Sequence, residues 1–221
     1  FFSGFSFFPN IQLRFRTQDG VMMAKRKQSA KSQAGRLRIV AGNWRSRLLD
    51  IAHVEGLRPT SQRIRETLFN WLGPRIHGAR CLDLYAGTGA LGLEALSRGA
   101  ASAVFVETHR VAAQQLKKNV EMLKAGMTTV LHQDALEYLH SKPDRKFDIV
   151  FLDPPFAADL LDETCRLLEH KELLAEGALV YLEQDRSKAE PQLPDGWQVQ
   201  KNKTAGNVRY MLVQARGSDE Q

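Results

Sequence analysis

The chain has 221 residues, 43% of them hydrophobic and 25% charged, with a formal net charge of +6. That length suits one α/β domain with a real core and is short for two, and no apolar run approaches the roughly 18–20 residues that a membrane helix needs. Cys81 and Cys165 lie far apart with no CxxC partner, which excludes a disulfide framework or a zinc site and fits a reducing cytoplasm.

Residues 1–23 crowd Phe1, Phe2, Phe5, Phe7 and Phe8 into a segment with no helical or strand period and no signal-peptide pattern. Met22 and Met23 precede a small, polar, basic stretch, so translation is expected to start there, with residues 1–21 an upstream extension and the chain disordered through residue 35. The first third is basic: residues 1–75 hold 14 Lys/Arg against 4 Asp/Glu, while residues 76–221 hold 17 against 21. Charge alone leaves two readings open, a polyanion-binding arm or a solvated basic tail.

From Arg36 the pattern changes. Residues 38–49 read as strand, Gly42-Asn43 turn, strand, a basic β-hairpin carrying Arg36, Arg38, Arg45 and Arg47. Trp44 sits between basic residues and suits either stacking on RNA or packing the hairpin. Arg58-Pro59-Thr60 ends a loop, and Thr60 or Ser61 can cap a helix with Ile64, Leu68, Trp71 and Leu72 on one face before Gly73-Pro74 stops it.

Strands and helices then alternate. Strands are expected at 81–85, 103–106, 128–131, 147–152 and 178–183, and helices through residue 97 and at 109–124, 135–140 and 160–168. Residues 197–201 and 208–214 read as a closing antiparallel pair. The alternation implies right-handed crossovers and a mainly parallel sheet with helices on both faces.

In such a sheet, ligands bind outside the carboxyl ends of the strands. Strand one ends in Asp83 and the turn Gly87-Thr88-Gly89-Ala90-Leu91-Gly92, strand two in Glu107, strand three before Asp134, and strand four in Asp153-Pro154-Pro155-Phe156. Each has a bland reading: a tight turn, helix N-terminal charges, a proline turn. Four in register make coincidence a poor explanation.

The Gly-rich turn spells a dinucleotide fingerprint, so a hydride-transfer enzyme is the first rival. Asp83 argues against it, because a carboxylate suits a cationic amino-acid group better than a pyrophosphate. Glu107 can accept two hydrogen bonds from a ribose diol, and Asp134 suits the exocyclic amine of adenine. Asp153 and the Pro154 carbonyl can accept both N–H bonds of a base amine and aim its lone pair at a methyl group, while Phe156 offers a stacking face worth roughly 1–3 kcal/mol.

These segments closely resemble the bacterial family that methylates guanine N2 in small-subunit (16S) ribosomal RNA. That family lies within the Rossmann-like class I methyltransferases that use S-adenosylmethionine (SAM). The resemblance runs from about Arg36 to Gln214. Its most specific pieces are the stretch from Arg38 to Arg45, the stretch from Arg58 to Asn70, the Leu82-to-Gly92 turn and Asp153-Pro154-Pro155-Phe156. Tyr85 and Thr88 stand where the family pattern leads one to expect an aromatic, often Phe, and Ser.

The resemblance implies that Asp83, Gly87 and Gly89 line the methionine end of SAM, Glu107 holds the ribose and Asp134 the adenine, and Arg58 and Thr60 close the cofactor pocket. Asp153, Pro154 and Phe156 would serve the target amine, and Arg36, Arg38, Trp44, Arg45 and Arg47 would meet RNA. It also implies a seven-stranded, mostly parallel sheet in the order 3-2-1-4-5-7-6 with an antiparallel last strand, plus the N-terminal β-hairpin. The expected domains are an extension to residue 35, a hairpin arm over 36–57, the methyltransferase domain over 58–216 and a tail at 217–221. The expected partner is ribosomal RNA, within an assembling small subunit, bound by a cytoplasmic monomer that works without membrane or metal.

Other readings weigh less. An adenine-N6 methyltransferase would share the tetrapeptide, but a DNA-acting one normally needs a DNA-reading region for which there is no room. A non-catalytic RNA-binding module would leave the cofactor turn without a purpose. His132 and His140 read as surface or cap residues, and Lys117, Lys118 and Lys124 as a solvated helix face.

Overall fold

The computed structural model describes residues 35–141, 144–155 and 159–215. The extension before residue 35 with Met22 and Met23, the stacking residue Phe156 and the tail at 217–221 lie outside the described residues.

Strands β1 (Arg36–Arg38) and β2 (Leu48–Asp50) pair antiparallel with Leu37 opposite Leu49. The expected two-residue Gly42-Asn43 turn is corrected: residues 39–47 form a longer loop. The loop is closed by backbone bonds between Ile39 and Arg47 and between Ser46 and Ile39, and is held against helix α2 (Ala90–Ser97). The Asn43 N–H donates to the Ser97 carbonyl at 2.7 Å and the Trp44 N–H to Ser97 Oγ at 3.0 Å. Gly42 has φ +81°, and a Cβ there would lie 1.8 Å from the Ser97 carbonyl oxygen, so only glycine allows this approach. Leu37, Ile39, Leu49 and Ile51 are buried in the same apolar cluster as helix α1 (Gln62–Leu72) and α2.

Ser61 caps α1 through a bond from the Ile64 N–H, and Ile64, Leu68 and Leu72 are buried as their spacing predicts. A 3-10 turn at Gly73–Ile76, with Pro74 near its start, ends the helix. Strands β3 (Arg80–Asp83), β4 (Ser102–Glu107), β5 (Thr128–His132) and β6 (Phe147–Leu152) follow. Helices α3 (Arg110–Leu123), α4 (Ala135–His140) and α5 (Leu161–His170) alternate with them. Strands β7 (Leu174–Asp185), β8 (Gln198–Ala205) and β9 (Val208–Gln214) complete the sheet, whose order is β5-β4-β3-β6-β7-β9-β8. Counted from β3 as one, that is the expected 3-2-1-4-5-7-6.

The period-two alternation decides which side chain meets which layer. Leu82, Val104, Val150 and Val180 join the cluster with α4 and α5, while Cys81, Phe105, Ile149 and Tyr181 join the cluster with α1, α2 and α3. Because β3 to β7 run parallel, the carboxyl ends of β3, β4, β5 and β6 share one edge. Two strands are longer than periodicity predicts. β7 starts at Leu174, opposite Phe147, and runs on to Asp185 against β9. β8 is an exposed polar edge strand, and its pairing with β9 rather than any alternation makes it a strand.

Candidate active site

The edge carries its residues where the fold turns from strand to helix. Asp83, at the end of β3, is 2% exposed and accepts the Gly92 N–H at 3.0 Å. Burial pushes its carboxyl up to about 8, with the nearby Asp153 and Glu107 charges adding to the effect. Gly89 caps α2 in the left-handed region, and a Cβ there would lie 2.4 Å from Leu116 Cδ1. At Gly92 a Cβ would lie 2.3 Å from the Phe105 ring, so the turn packs directly on helix and strand.

Glu107 braces the turn: its Oε2 accepts the Gly87 N–H at 2.7 Å and its Oε1 the His109 N–H at 2.6 Å. Asp134 is exposed and caps α4, its Oδ1 accepting the Leu136 and Glu137 N–H groups at 2.8 and 3.1 Å. Its expected contact with adenine would have to coexist with that cap.

Asp153 follows β6 next to the β3 end, since Asp83 pairs with Phe151. Burial pushes its carboxyl up to about 6, opposed by a hydrogen bond from Thr60 Oγ1 to Oδ2 at 3.2 Å. Thr60, expected at the cofactor pocket, thus bonds to the residue expected at the target amine. Arg58 is exposed. Pro154 is buried and, with Pro155, lines a cleft that also meets Asp159, Leu161 and Glu183.

Sequence reasoning missed Glu183. It is 5% exposed, follows Leu182, the partner of Leu152, and accepts the Tyr181 hydroxyl at 2.7 Å. Burial and the Asp153 charge push its carboxyl up to about 8. The signal was present: Glu183 stops the apolar run of the fifth strand, and the strand-end rule extends to it. Three carboxyls held above the ordinary range at one sheet edge make a site short of positive charge. That donor set, with glycines admitting close backbone approach, fits a cofactor bearing a sulfonium and an ammonium.

Behind this edge lies a buried ion pair that periodicity did not reveal. Glu94 is fully buried and accepts Arg65 Nη1 at 3.2 Å, Arg98 Nε at 2.8 Å and the N–H groups of Val40 and Ala41 at 2.8 and 3.0 Å. Arg65 Nη2 donates to the Arg38 carbonyl at 2.9 Å and Nε to the Thr60 carbonyl at 3.2 Å.

On the hairpin, Arg36, Arg38, Arg45 and Arg47 are exposed. Arg36 pairs loosely with Asp50 at 3.8 Å. Trp44 is half-buried against the core, which favours packing over an open stacking face. Among the described residues, no group of three or more His, Cys, Asp or Glu could hold a metal ion, and no helix is long and apolar enough to cross a membrane.

A family model described as "conserved hypothetical protein 95" matches residues 37–214. The chain is 47% identical over 194 residues to ribosomal RNA small subunit methyltransferase D of Escherichia coli (strain K12), covering 88% of this chain and 98% of that protein. It is 44% identical over 193 residues to the protein of the same name from Haemophilus influenzae, covering 86% and 99%. A solved Escherichia coli chain with 44% identity superposes at a TM-score of 0.78, covering 83% of this chain and 100% of that one.

Proposed function

Because this chain belongs to the family of ribosomal RNA small subunit methyltransferase D, we propose that it methylates the exocyclic N2 amine of a guanine in small-subunit (16S) ribosomal RNA, with SAM as donor. The carrying observation is the half-buried Asp153 followed by two prolines at the end of β6, beside the buried Asp83 at the end of β3.

Bound SAM supplies an electrophilic methyl group, and the protein supplies position and electrostatics. Asp83 meets the cationic amino-acid end, where a positive charge favours its ionised form. Gly87 and Gly89 let backbone approach, Glu107 serves the ribose and Asp134 the adenine. A guanine N2 lone pair is conjugated with the ring and nucleophilically weak. Asp153 and the Pro154 carbonyl accept its two N–H bonds, which orients the nitrogen and concentrates electron density on it. The rigid prolines cut the entropy of assembling this arrangement. On transfer the methyl group would leave the sulfonium as its S–C bond breaks, giving S-adenosylhomocysteine, and the positive charge passed to the guanine nitrogen would be stabilised by the Asp153 carboxylate until the surplus proton is released to water.

The exposed arginines of the hairpin suit phosphate contacts, and an assembling small subunit in the cytoplasm, met by a monomer, is the setting proposed. An adenine-N6 activity is not favoured by the relatives. Mass mapping of 16S ribosomal RNA from cells with and without the protein tests the reading. One N2-methylguanine should vanish with the protein and return when purified enzyme and SAM are added to that RNA or to subunits carrying it. An unchanged guanine methylation pattern overturns the proposal.

A further inference from the structure

We propose that Arg65 is a positioning residue for methyl transfer: anchored by Glu94, it holds Thr60 so that the Thr60 hydroxyl fixes the Asp153 carboxylate. This rests on the reading of Asp153 as the acceptor of the target amine.

The chain of contacts is continuous. Arg65 is 3% exposed and points three donors at three different partners: the Glu94 carboxylate, the Arg38 carbonyl and the Thr60 carbonyl. A guanidinium removed from water is costly unless paired and fully hydrogen-bonded. Glu94 supplies the pairing, and its four donors leave it little freedom to move. The fork of Arg65 is therefore a fixed object, and its Nε end sits on the backbone of Thr60.

Thr60 needs such a hold. It is the penultimate residue of 51–61, a segment that forms no helix or strand. It is buried, yet its hydroxyl is not used to cap α1, because Ser61 does that. The Thr60 hydroxyl donates instead to Asp153 Oδ2. With Oδ2 occupied, the rotation of the carboxylate is set, and an amine N–H is accepted at Oδ1.

The hydroxyl also works against an environment that disfavours charge on Asp153. Asp83 faces it from β3 and Glu183 from β7, with Tyr181 donating to Glu183. Burial opposes ionisation of Asp153, and the Thr60 hydrogen bond favours it. A protonated Asp153 loses half its acceptor capacity and the negative charge that stabilises the methylated nitrogen.

The test compares Thr60→Val, Thr60→Ser and Arg65→Lys in the full-length protein. The first readout is the titration of the Asp153 side-chain carbon by NMR, which needs no catalysis. The second is kcat against pH at saturating RNA, with KM for SAM. Thr60→Val removes one hydrogen bond to a charged group, so the Asp153 midpoint should rise by about one pH unit or more. Its kcat near neutral pH should fall roughly tenfold or more, with the acid limb moving up. Thr60→Ser should restore both.

Arg65→Lys keeps a positive charge beside Glu94 but loses the planar fork, so it should move the Asp153 midpoint in the same direction. If it does not fold, Glu94→Gln loosens the same anchor and takes its place. A wild-type midpoint in Thr60→Val overturns the proposal, and so does a wild-type midpoint in the Arg65 or Glu94 variant. If the midpoints move as expected but wild-type enzyme transfers no methyl to ribosomal RNA, the positioning route stands and the substrate reading fails.

Discussion

Asp83→Asn isolates what the site gives up in stability to bind a cation. Asp83 is 2% exposed, and its carboxyl rises from an ordinary value of 3.8 to about 8 in the folded protein. Below pH 3.8 both folded and unfolded states hold the proton and folding is unaffected. Between 3.8 and 8 the folded state keeps a proton that the unfolded state releases, so stability falls as pH rises. At about 1.4 kcal/mol per pH unit, the accumulated loss at pH 7 is on the order of 4 kcal/mol, and at pH 5 on the order of 2.

Asparagine cannot ionise and escapes this loss, and its carbonyl can still accept the Gly92 N–H. Its amide hydrogens are newly buried and cost about 1–3 kcal/mol at every pH. The variant should therefore gain on wild type by about 2–3 kcal/mol between pH 5 and pH 7 in urea unfolding of the ligand-free protein. Losing the charge should also weaken SAM binding by roughly ten- to a hundredfold, measured by calorimetry at pH 7. A stability difference that stays constant between the two pH values would refute the account of Asp83 as a buried carboxyl awaiting a cation. Unaltered SAM affinity would remove Asp83 from the cofactor site.

Asp153→Ala should leave SAM affinity nearly intact and lower the methylation rate roughly 10²–10³-fold, with Asp153→Asn losing less because one acceptor remains; a wild-type rate would reduce Asp-Pro-Pro to a turn. Replacing Arg45 and Arg47 together should weaken RNA binding and flatten the log–log salt dependence by about one per lost phosphate contact, while SAM affinity holds. An unchanged slope would leave these exposed arginines as solvating charge on a hairpin loop. Glu94→Ala strands Arg65, Arg98 and the Val40 and Ala41 N–H groups; calorimetric melting should register a loss of about 3–5 kcal/mol. A melting temperature like that of wild type would show that water replaces the carboxylate without cost.

Much of this molecule is legible in one dimension because it depends on local rules. The alternation of apolar runs with 3.6-period segments predicts the order of β3 to α5, since burial on a sheet face and on a helix stripe demands those periods. The Gly87-to-Gly92 turn and the carboxylates at the strand ends are legible for a related reason: parallel strands bring every carboxyl end to one edge, so four points far apart in sequence become neighbours. What the local rules could not decide was which distant groups share a buried space. Residues 39–47 keep backbone bonds of their own across the loop, but Ser97 and Glu94 also take the N–H groups of Val40, Ala41, Asn43 and Trp44, so α2 sets the shape of the turn. Glu94, between the apolar stretch Ala90-Leu91-Gly92-Leu93 and Ala95-Leu96, is the one charged residue of a short helix and by local rules would face solvent. It is fully buried instead, because the folded chain brings Arg65 and two loop N–H groups to it beside Arg98, one helical turn on. A charge is tolerated inside a protein through partners whose sequence separation has no rule, and so the Arg65–Thr60–Asp153 connection had to be read from three dimensions.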